Sequence, residues 1–111
     1  MRQWIVSTLG DRPDGRRRSE EFAETGPIPS AELRALLVDT MAEARQVVSA
    51  LAPDSLLGMR RVQGFEESAL SILVHVVEHF AYHTGQVAWI VKAQRETDLG
   101  FYRGVDLERH G

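Results

Sequence analysis

The stretch FEESALSILVHVVEHFAYHTGQVAWIVKAQRE, residues 65–96, decides how this chain is read. Placed on a wheel at about 100° per residue, Ala69, Ile72, Leu73, Val76, Val77, Phe80, Val87, Ile90 and Val91 gather on one face. Glu66 and Glu67 suit the positive end of a helix dipole, and Lys92 and Arg95 suit the negative end. The pattern predicts one long helix near 65–95, roughly 45 Å in length. Gly85 in its interior costs on the order of 1 kcal/mol relative to alanine. That cost points either to close approach by another backbone or to plain tolerance.

Three of the four histidines lie on this helix at i, i+4 and i+8. They are not equivalent. His83 falls inside the apolar face, and His79 lies about 40° from it at the margin. His75 lies about 40° further out, beside Tyr82, Gln86 and Trp89. His79 and His83 are therefore expected to face inward. Two histidines at i and i+4 can present ring nitrogens to one divalent ion, about 2 Å from each. Both must be neutral to do so, and further ligands must come from another element. Glu78 points away from this face. The pattern also lacks the glutamate of HExxH, since Phe80 follows His79 and Val76 follows His75, which excludes a zinc-protease reading. Asp39 and Glu43 could support a histidine by hydrogen bonding. His110, the fourth histidine, sits in the polar tail. The same inward pair also fits a plain structural role, buried, neutral and hydrogen-bonded to Gln86 or to Asp39 and Glu43.

Upstream, PIPSAELRALLVDTMAEARQVVSALAP (residues 27–53) predicts a second helix near 30–51. Ser30 is its expected cap, and Pro53 ends it. Leu33, Leu36, Leu37, Met41, Ala44, Val47, Val48 and Leu51 form its apolar stripe. MRQWIVSTL (residues 1–9) has helical spacing at Trp4, Ile5, Thr8 and Leu9, and Gly10 stops it. It begins without a cap, as though continuing something longer. Residues 11–29 read as a long connection. Its basic run Arg16–Arg17–Arg18 is either a solvated loop or a rim that attracts an anionic ligand. Residues 54–64 read as irregular, with room for a short extended piece between Gly58 and Gly64. In the tail, Leu99, Phe101 and Tyr102 are expected to fold back.

At 111 residues the chain fits one domain, 1–111, of an all-α helical bundle class with two principal helices. A net charge of −3 offers no general attraction to nucleic acid or to an anionic membrane. Cysteine is absent, which excludes disulfides, thiolate metal sites and a cysteine nucleophile. The first residues lack the apolar core of a signal peptide, and no apolar run reaches the roughly 18 residues of a membrane span. A cytoplasmic location fits.

HVVEHFAYHTGQVAWIVK resembles the signature of the DinB-like superfamily, the DinB/YfiT-type four-helix bundles, with HTGQ its most specific part. MRQWIVSTLG, RRRSEEFAE, RRVQGFEESAL and DLGFY extend the resemblance to nearly the whole chain. The resemblance implies a three-histidine metal site, with His79 and His83 as two of the ligands. The third would sit a few residues before the segment that MRQW resembles, so it is expected to be missing from this chain. The first helix and most of the second would be missing with it, leaving a partial, N-terminally shortened bundle. Apolar stripes on the two principal helices would then stand uncovered. Either a second copy supplies the missing walls in a homodimer, or the natural reading frame begins earlier. In-frame codons upstream of Met1 that encode a histidine would favour the latter.

Two functions follow as expectations. By the resemblance, Zn²⁺ or Ni²⁺ on His79 and His83 would activate a low-molecular-weight thiol in a transferase, or mark its inactive remnant. The alternative is a non-catalytic helical domain acting through dimerisation.

Overall fold

The computed structural model describes residues 1–108. The chain divides into two compact units, Met1–Glu78 and His79–Gly111. His110 falls outside the described residues.

The first unit opens with a π-helical segment, Arg2–Leu9. Its bonds step five residues back, as in Gly10 N–H to the Ile5 carbonyl at 3.1 Å. Such wide turns are rare. They bring Val6 into the core with Ile5 and Leu9, although α-helical spacing selects Trp4 and Thr8 instead. Gly10 follows where the chain meets the next helix. A Cβ there would lie 2.7 Å from Val47 Cγ2 and closer still to the Val6 carbonyl oxygen.

The connection is not wholly irregular. A short helix, α1 (Arg18–Ala23), forms within it. The second helix, α2, spans Ser30–Ala50. Ser30 does not cap it. The Pro29 carbonyl already takes the N–H groups of Glu32 and Leu33 at 3.0 and 3.1 Å, so Ser30 lies inside the first turn. Of the expected stripe only Ala44 and Val47 are buried, joined by Thr40, which the stripe did not include. Leu33, Leu36, Leu37, Met41 and Val48 are exposed.

A short 3₁₀ turn, Pro53–Leu57, leads into a hairpin of β1 (Met59–Val62) and β2 (Phe65–Ser68). The strands pair antiparallel, with Val62 opposite Phe65 and Met59 opposite Ser68. The fold is mostly helical, as expected, and adds a two-stranded sheet whose first strand lies where an extended piece had room, between Gly58 and Gly64. The main helix correspondingly begins at residue 69 rather than 65. The cause is local. Gln63 and Gly64 take φ of 52° and 88°, the left-handed pair that a two-residue hairpin turn requires. Ser68 then starts the helix by accepting the Ser71 N–H on its hydroxyl at 3.1 Å.

That helix, α3, runs over Ala69–Arg95. Ala69, Ile72 and Val76 join Ile5, Val6, Leu9, Ala44, Val47 and Val62 in one core, all within the first unit. In the second unit, the described tail turns at Gly100 and Gly104, both at positive φ. Leu99 is half-buried, but Phe101 and Tyr102 stay exposed rather than folding back. No helix among the described residues is long and apolar enough to cross a membrane.

Candidate metal centre

The helical register places His79 and His83 one turn apart, and their rings meet. The two Nε2 atoms are 2.7 Å apart, with ring centroids at 4.6 Å and planes inclined by 37°. On the next turn, the Gln86 side chain reaches back. Its Nε2 donates to the Tyr82 hydroxyl at 3.1 Å, which turns its Oε1 towards His83 Nδ1 at 2.8 Å. An amide oxygen can only accept, so His83 Nδ1 carries the proton. In neutral His83 the lone pair then sits on Nε2, facing His79. The edge of the Tyr82 ring lies against His83, with centroids 5.3 Å apart.

This is the second-neighbour arrangement common at metal-binding histidines, where a polar group fixes the tautomer of the ligand ring. Neutral His83 accepts the Nε2–H of His79 across the 2.7 Å gap. For both lone pairs to face one ion, His79 must carry its proton on Nδ1 instead. At metal–nitrogen distances of about 2.0–2.1 Å and a tetrahedral angle, two ring nitrogens sit further apart than this. The rings must therefore part slightly to admit an ion. Exposed side chains on one helix can do that without disturbing a core.

The inward placement expected for His79 and His83 is corrected. Both are exposed, because the buried face of α3 is confined to Ala69, Ile72 and Val76. The division of the three histidines nevertheless stands. His75 stacks on Trp4, with ring centroids 4.1 Å apart and planes inclined by 24°, and so serves the first unit's packing. Glu43 is engaged by Arg2 at 3.1 Å. Among the described residues, no group of three or more His, Asp or Glu side chains converges as a metal cage. The donor set thus fits two positions of an ion's coordination sphere.

The basic run is occupied locally. Arg16 pairs with Glu21 at 2.8 Å, and Arg17 pairs with Glu20 at 3.2 Å. The hydrogen bond that Arg16 donates to Glu21 raises the Arg16 pKa above its ordinary value, with the carboxylate charges of Glu21 and Asp14 adding to the shift. Arg18 lies over the Phe22 ring, 5.3 Å from its centroid. These contacts leave the run less able to attract an anionic ligand than its sequence implies.

Sequence reasoning passed over Gln3. Its Nε2 donates to Asp14 Oδ2 at 2.6 Å, and its Oε1 accepts from Arg16 Nη1 at 3.2 Å and from Gln63 Nε2. One amide thereby ties the N-terminal segment, the connection and the hairpin turn together. Nothing in hydrophobic periodicity signals a polar residue of this kind.

No family model, curated protein or solved structure matches the chain.

Proposed function

We propose that His79 and His83 bind a divalent metal ion, Zn²⁺ or Ni²⁺, as two ligands of an open site. The observation that carries this reading is the convergence of the two Nε2 atoms to 2.7 Å, with His83 held in the required tautomer by Gln86. The resemblance to DinB-like proteins supports the same pair and extends the reading to thiol-dependent transfer. A bound ion would supply Lewis acidity there and hold a small thiol as its thiolate. The chain's own part is to present two neutral imidazoles, fix one by Gln86 and leave the remaining positions accessible.

The test is metal content in untagged protein purified at neutral pH and equilibrated with Zn²⁺ or Ni²⁺. About one equivalent is expected, lost in both His79→Ala and His83→Ala. A folded wild-type protein that takes up neither metal, with melting unchanged by either, would sink the proposal.

A second reading is favoured by the apolar surface around the pair. Phe80, Val87 and Ile90 are 41, 61 and 45% exposed on the same helix. A second copy covering that face would make the domain a homodimer. This reading needs no metal. A dimer that persists in chelator and in His79→Ala would assign the face to association alone.

A further inference from the structure

The first unit holds a second polar site that owes nothing to the histidines. The N-terminal segment, the start of the connection and the hairpin enclose an open cavity of about 380 Å³. Arg12, Arg60 and Arg61 line it, together with Asp11 and Asp14. Its lining therefore carries a surplus of one positive charge on a chain whose net charge is −3.

The arginines are the unusual element. Among the described residues, no ion pair to a carboxylate engages Arg12, Arg60 or Arg61. This holds even though Glu67 and Glu66 sit directly across the ladder from Arg60 and Arg61. Glu67 instead accepts the Ser71 hydroxyl at 2.6 Å. Among the described residues, the only side-chain bond from Arg60 goes to the adjacent Met59 carbonyl at 3.0 Å. Arg12, Arg60 and Arg61 thus line one cavity with no carboxylate partner among the described residues. A guanidinium's planar fork matches carboxylate and phosphate oxygens two at a time.

The two acids are not equal opponents of an anion. Both Asp14 oxygens are committed, Oδ2 to Gln3 Nε2 at 2.6 Å and Oδ1 to the Arg16 backbone N–H at 3.1 Å. Asp11 is the carboxylate left to oppose an anion in the cavity. The Gln3 network also braces the walls, because it joins all three elements that form them.

We propose that this cavity binds a small multivalent oxyanion through Arg12, Arg60 and Arg61. The ligand class is a molecule bearing clustered phosphate or carboxylate oxygens, small enough for about 380 Å³. The site is independent of any metal on α3.

Pyrophosphate and citrate serve as the two probes, titrated into the intact chain by calorimetry at constant ionic strength. Saturable one-to-one binding of either is expected, and the tighter probe distinguishes phosphate from carboxylate chemistry. Combined Arg60→Ala and Arg61→Ala should weaken it at least tenfold. Arg95→Ala, a charge removed outside the cavity, should leave it unchanged. Asp11→Asn should tighten binding severalfold, since it removes the opposing charge. Asparagine also tolerates the φ of 49° at that position. If the double variant fails to fold, Arg12→Ala in the connection carries the test, with a loss of at least threefold. Absence of saturable binding by both probes would overturn the proposal. So would equal weakening by Arg95→Ala, or an Asp11→Asn variant that binds no more tightly than wild type.

Discussion

At the scale of single residues, Gln86 determines what His83 can do. Without its Oε1, either nitrogen of His83 can hold the proton, and the lone pair no longer needs to face His79. Removing such a supporting partner typically costs 10–100-fold in metal affinity. Gln86→Leu should therefore weaken Zn²⁺ binding by about tenfold or more, with helicity by circular dichroism unchanged. A competition titration against a chromophoric chelator measures it. Unchanged affinity would mean that the His83 tautomer is set elsewhere. The pairing of His79 with His83 was legible in the sequence because i and i+4 fix it. Their exposure was not legible. A wheel shows which way a side chain points along a helix, not whether anything lies opposite.

Among the elements, the hairpin and α3 each turn on one glycine. Gly64 sits at φ 88°, with nothing within 4 Å of an added Cβ, so a side chain there would meet only backbone strain. Gly64→Ala should cost about 1–2 kcal/mol, read as a lower midpoint in urea denaturation. Gly85 gives the opposite sign. It lies inside α3 at helical φ, and an added Cβ also meets nothing within 4 Å. Gly85→Ala should stabilise the chain by about 0.5–1 kcal/mol through helix propensity alone. A loss of stability at Gly85→Ala would instead reveal a backbone packed closely against that position. The hairpin was hidden because Phe65, Glu66, Glu67 and Ser68 read equally well as an acidic helix start. The useful signal was Gln63–Gly64 between Val62 and Phe65, a turn pair flanked by apolar residues. The π-helical segment was illegible for a different reason. Residues 1–9 satisfy α-helical spacing, and only the packing against α2 selects Val6 over Trp4 for burial.

At the scale of the whole molecule, the described residues place their core in Met1–Glu78 and leave long apolar faces in water. Periodicity alone did not signal this, because a stripe shows which side of a helix is apolar and not whether anything covers it. Exposed apolar surface on this scale drives association, while a net charge of −3 spread over 111 residues opposes it only weakly. The homodimer reading therefore makes a sharp demand of Val87, which is 61% exposed on the helix that carries the histidine pair. Val87→Glu places a charge that a chain on its own tolerates and an apolar interface does not. Wild type should sediment as a concentration-dependent dimer, and Val87→Glu should shift it towards monomer at least tenfold in Kd. Helicity should be retained, because Val87 is exposed and is not a member of the core cluster. A variant that dimerises as wild type does would remove this face from the interface. Its Zn²⁺ affinity would then show whether the metal pair acts within one chain.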